Sequence, residues 1–145
     1  MDSHPELVQL IREQVEIEKQ SVARLAETER SVGTGAAKLL LVEMRMDSQK
    51  HAAVLEAVLE ALKGDQSSKS LWQRAFHGFV DPAIVKREIE NHRALGKSMQ
   101  THLQEEMSKT NDEAIRTLLK HLAEDERRHE QILETISQRA YRIIR

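Results

Sequence analysis

"EDERRHEQIL", residues 124–133, places Glu126 and His129 three apart in a stretch that otherwise reads as a charged helix. That spacing puts a carboxylate and an imidazole on one helix face. The direction of that face follows from the residues on either side. Positions alternating three and four apart run through Ile115, Leu119, Leu122, Glu126, His129, Leu133, Ile136, Ala140 and Ile143. All but Glu126 and His129 are apolar, so the pair is expected on the inward stripe of an amphipathic helix.

The same periodicity recurs three times upstream. One stripe holds Val8, Ile11, Val15, Glu18, Val22 and Leu25, interrupted by Glu18. A second holds Leu41, Met44, Ser48, His51, Leu55, Val58 and Leu62, interrupted by Ser48 and His51. A third holds Val85, Ile89, His92, Gly96, Met99 and Leu103, interrupted by His92, with Glu88 one turn back on its edge. Each stripe is broken near its middle, at heights that agree to within about a turn.

Start and stop signals separate the helices. Pro5 suits a first turn, Gly33 a helix end, and Thr34 a cap for the second helix. Asp81-Pro82 reads as an N-cap followed by proline, and Thr110 with Glu113 has capping-box spacing. The helices are expected at about 5–31, 35–63, 82–109 and 111–144. Two connections are short and the third, 64–81, is long. The fold class is therefore all-α, a ferritin-like antiparallel four-helix bundle in one domain, 1–145, with a crossover between helices 2 and 3. Leu71, Trp72, Ala75, Phe76 and Phe79 fall at helical spacing in that crossover, as a cap over the bundle or a dimerisation patch. A homodimer through Trp72, Phe76 and Phe79 is the expected assembly.

Composition narrows the function. The chain of 145 residues is 32% charged and 3% aromatic, with a net charge of −2 and no cysteine. Interspersed charge of both signs argues against a nucleic-acid footprint, and no apolar run reaches membrane-spanning length. Without cysteine there are no disulfides or thiolate ligands, and a cytoplasmic protein is the default. Any metal must sit on nitrogen and oxygen. Buried carboxylates and imidazoles cost several kcal/mol unless paired, protonated or metal-bound. One ion would satisfy the whole layer of Glu18, His51, His92, Glu126 and His129, with Glu88 in reach. Fe, Mn and Zn suit such donors.

On these residues the chain resembles the rubrerythrin branch of the ferritin-like superfamily. "DERRHEQIL" and "DSQKHAAVL" are similar to its E-x-x-H helices, and "EIEKQSVARLAE" to its first helix, with Glu18 at the ligand carboxylate. The resemblance spans essentially the whole chain and includes an internal repeat of hairpins. It implies a di-iron or di-manganese centre reacting with oxygen or peroxide. Ser48 stands where the first E-x-x-H would have its Glu, leaving His51 with Asp47 beside it. Matching "EIEN" to "EIEK" points to Glu90, whereas periodicity turns Glu90 to solvent and favours His92 or Glu88. Leu25 replaces the tyrosine common in helix 1, and no Cys-rich electron-donor segment is present. A mononuclear Fe site is the expectation, with Mn or Zn as alternatives and an asymmetric dinuclear site using Glu88 still open. The competing reading is a non-catalytic helical interaction protein whose polar layer satisfies itself. His4, His77, His102 and His121 read as solvated, and Arg139, Arg142 and Arg145 as partners of the helix C-terminal dipole.

Overall fold

A computed structural model describes residues 5–33, 35–63 and 82–144, and the side chains of all these except 82, 85 and 139–144. Thr34, Asp81, the connection 64–81 with its aromatic stripe and the dimer contact expected of it, His4, His77 and Arg145 lie outside the described residues. So do the side chains of Val85, Arg139, Ala140, Arg142 and Ile143.

Four helices form, with no strand among the described residues: α1 Pro5–Ser31, α2 Gly35–Lys63, α3 Pro82–Ser108 and α4 Glu113–Ile144. Their positions follow the expected stripes. The α3–α4 junction differs by one to two residues because the cap is Asp112, not Thr110. Asp112 Oδ1 accepts the Ile115 backbone N–H at 3.1 Å, while Thr110 Oγ1 accepts that of Asp112 at 3.1 Å. The carboxylate stands immediately before the helix, where it satisfies an orphan first-turn donor. No helix among the described residues is long and apolar enough to cross a membrane.

The chain divides into two compact units, one containing α1 and α2, the other α3 and α4. In the first hairpin, α1 turns Val8, Ile11, Val15, Glu18, Val22, Leu25 and Glu29 toward its neighbour, with Ser21 at the edge of that seam. Alternating steps of three and four keep these positions on one seam. The facing residues of α2 are Leu41, Arg45, Ser48, Ala52, Leu55, Leu59 and Leu62. Val15 and Ala52 are the best-covered apolar side chains of this hairpin. Glu29, near the C-terminal end of α1, is also buried and accepts from Arg45 Nε at 2.6 Å and Nη2 at 3.3 Å. That hydrogen bond raises the Arg45 pKa above its ordinary value. Farther along, Lys19 Nζ lies 2.9 Å from Glu56 Oε1, on the exposed rim.

In the second hairpin α3 contributes Ile89, Arg93, Gly96, Gln100, Leu103 and Met107 to the seam. Leu119, Ala123, Glu126, Glu130, Leu133 and Ser137 of α4 face them. Leu103 is the best-covered apolar residue, and Arg93 Nη2 reaches Glu130 Oε1 at 2.7 Å.

This packing refines the stripes read from sequence. For α1, stripe and seam coincide. For the other three helices, the stripe comprises one column in the seam and one beside it. The seam columns contain Ser48, Gly96 and Glu126; the exposed ones contain Met44 and His51, His92 and Met99, and Leu122 and His129. A single neighbouring helix covers a narrower arc than an apolar stripe spans, so the second column stays open within each hairpin.

Candidate metal centre

In the first hairpin the site begins with Glu18. Its side chain is 14% exposed, because it enters the α1–α2 seam. Gln14, one turn earlier, donates from Nε2 to Glu18 Oε1 at 3.1 Å. His51 Nδ1 lies 3.6 Å from the same oxygen, beyond hydrogen-bond length, with its ring more than half exposed. Ser48 does not face this pair as a free donor. Its Oγ lies 3.3 Å from Ser21 Oγ across the seam, making a hydroxyl–hydroxyl hydrogen bond. Asp47 turns outward to Lys50, 3.8 Å away, and brings no carboxylate to His51.

In the second hairpin Glu126 is covered to a similar degree, with its side chain 15% exposed, and its Oε1 is 3.5 Å from His129 Nδ1. Gly96 faces the other carboxylate oxygen: a Cβ there would stand 3.8 Å from Glu126 Oε2. His92, Glu126 and His129 line one cavity of about 310 Å3, together with Gly96, Leu95, Met99 and Ile132.

The structure therefore brings Glu18 together with His51, and His92 together with Glu126 and His129. The carboxylates are covered, as expected; the three histidines lie in the open columns rather than in the seams. Glu88 is exposed and does not line the cavity, and Glu90 is exposed as its phase required. His102 and His121 are exposed too. Ser21, Gly96 and Gln14 were not anticipated, since each matters only through the residue it meets.

The donor set can be tested against a metal on its own chemistry. Two ligands bound at about 2.1 Å with tetrahedral angles lie about 3.4 Å apart. The carboxylate–imidazole separations of 3.6 and 3.5 Å suit two donors on one ion. Ferritin-like dinuclear centres take a Glu from each of two helices and an E-x-x-H from each of the other two. Here α2 has Ser48 at that position, and the α3 seam holds Arg93, already bound to Glu130, and no carboxylate. Among the described residues, no three His, Asp or Glu side chains are grouped closely enough to hold an ion. The donor types fit one ion; their number does not fit a carboxylate-bridged pair.

Helical hairpins that each carry a carboxylate–imidazole pair at mid-length are the parts of a helical carboxylate–histidine protein. The chain belongs to the rubrerythrin family, whose model matches residues 15–137. That family consists of ferritin-like four-helix bundles and typically binds iron, in agreement with the resemblance and the all-α fold class. No curated protein and no solved structure matches the chain.

Proposed function

We propose that this protein binds a single transition-metal ion, iron foremost with manganese or zinc as alternatives, and serves in iron handling or in oxygen or peroxide reduction. The observation that carries the proposal is the covered Glu126 carboxylate beside His129 in a cavity that His92 also lines. Glu18 and His51 form a separate two-donor pair within the first hairpin. A bound redox-active ion with an open position would supply the oxygen- or peroxide-reducing chemistry. The chain's own contribution is positional. The α3–α4 seam shields the Glu126 carboxylate from water, while the open column leaves His129 and His92 accessible. In the first hairpin, the Gln14 amide fixes Glu18 Oε1.

The second reading, a helical interaction module with a self-satisfied polar layer, draws support from the Ser21–Ser48 hydrogen bond. Elemental analysis of protein purified without added metal separates the two. Near-stoichiometric iron, manganese or zinc that disappears in Glu126→Ala and His129→Ala supports metal binding. Metal below about a fifth of an ion per chain, unchanged by either substitution, would remove it, since a group holding an ion loses affinity strongly when a ligand goes. Peroxide consumption after Fe(II) loading then tests the chemistry.

A further inference from the structure

The two E-x-x-H-type segments of this chain can be compared residue by residue. "DSQKH" and "DERRH" share their frame: Asp47 and Asp125, then Ser48 and Glu126, then His51 and His129. The structure gives the shared residues the same work. Asp47 pairs with Lys50 and Asp125 with Arg128, each one turn on at the rim. Both histidines lie in open columns, and Ser48 and Glu126 both lie in seams. Only the seam residue has changed its chemistry.

Its partner across the seam has changed with it. Glu126 faces Gly96, where an added Cβ would stand in van der Waals contact with the carboxylate, 3.8 Å from Oε2. Ser48 faces Ser21, whose hydroxyl bonds to it at 3.3 Å. A long side chain meets none in one hairpin, and small meets small in the other. The first hairpin is thus packed around a hydroxyl pair and offers two donors, Glu18 and His51, where in the second His92 lines the same cavity as Glu126 and His129.

We propose that the Ser21–Ser48 pair is the feature that sets metal stoichiometry: it keeps the first hairpin from holding an ion of its own, so the chain takes one ion, anchored by Glu126 and His129. The inference rests on the metal-binding reading and adds its nuclearity determinant. Atom count supports it. With Glu18 and His51 already 3.6 Å apart, one carboxylate at position 48, spaced from His51 as Glu126 is from His129, would give that hairpin three donors.

The test is cobalt(II) titration of the full-length protein, read by visible absorption and by calorimetry. Wild type should saturate at one ion per chain. Ser21→Gly/Ser48→Glu should saturate at two, the added ion being lost on further His51→Ala and retained on Glu126→Ala. Ser21→Ala/Ser48→Glu, which avoids a helix-interior glycine costing about 1 kcal/mol, provides the same gain if the first variant fails to fold. Ser21→Gly alone should stay at one. Two ions in wild type, both sensitive to ligand substitution, would overturn the stoichiometry claim and leave metal binding intact. A single ion in either folded double variant would overturn it as well. No binding by wild type would remove both proposals together.

Discussion

The two hairpins repeat one plan, yet their seams are held by different chemistry. In the α1–α2 hairpin, a buried Glu29 is clamped by Arg45, and hydroxyls pair at mid-length. In the α3–α4 hairpin, the corresponding stretch pairs a carboxylate with a glycine, and its ion pair, Arg93–Glu130, is a third or so exposed on each side. In the first, Arg45 holds Glu29, the two serines hold each other, and the covered Glu18, with His51 3.6 Å away, also accepts from Gln14. The second leaves a covered carboxylate with an imidazole 3.5 Å away and a cavity in front of it. A covered carboxylate costs free energy unless something cationic joins it. The comparison therefore teaches where a ligand belongs: in the hairpin whose polar residue is least satisfied by its own chain.

The largest expected effect follows from that difference. Glu126→Ala should weaken metal binding by at least about a hundredfold, because removing even an outer-shell partner costs ten- to a hundredfold. Glu18→Ala should leave the affinity of that ion unchanged, because Glu18 belongs to the hairpin that holds none and Gln14 already occupies one of its oxygens. Competition against a chelating dye measures both. Equal losses would mean that the hairpins contribute equally and would break the asymmetry.

Much of this could be read from the residues alone, for reasons that differ by feature. Helix positions were legible because apolar steps of three and four, with Pro5, Gly33 and Pro82 as punctuation, are local properties. Glu18 and Glu126 were legible as covered because they fall where stripe and seam coincide. The histidines were not placed as well. His51, His92 and His129 share the stripe's period, but a stripe is wider than the arc one neighbour covers, and they fall on its uncovered side. The α3–α4 cap was misplaced because Thr110 and Asp112 are both competent caps, and only the turn chooses between them. Ser21–Ser48 and Gly96–Glu126 were invisible, because they depend on the register between two helices. No local pattern encodes which residue stands across the seam.

A second, smaller effect sharpens the comparison through stability. Arg45→Met strands the Glu29 carboxylate in the seam, whereas Arg93→Met leaves Glu130 with water beside it. The Arg93 substitution should cost about 1 kcal/mol or less, and that cost should shrink further as salt is added. The Arg45 substitution should lower the melting temperature more and respond less to salt, because a covered pair is poorly screened. Thermal unfolding at low and high sodium chloride distinguishes them. Equal salt sensitivity would show that Glu29 is as well hydrated as Glu130.

The smallest effect belongs to the rim of the first hairpin. Lys19 is raised above its ordinary value of 10.5, first by its hydrogen bond to Glu56 and then by the charge of the same carboxylate. A lysine whose folded value is raised binds its proton more tightly folded than unfolded. Its contribution is complete below the ordinary lysine range and disappears as pH rises through the higher folded value. Both side chains are half exposed, so solvent and salt keep the contribution small. Wild type should therefore melt slightly above Glu56→Gln near neutral pH, and the gap should close as pH rises past the unperturbed lysine value. The Arg45–Glu29 clamp, held by a guanidinium that keeps its proton throughout, should show no such closing in the same range. A gap at Glu56 that persists at alkaline pH would mean that its side chain stabilises the hairpin by packing along the α1–α2 rim rather than by charge.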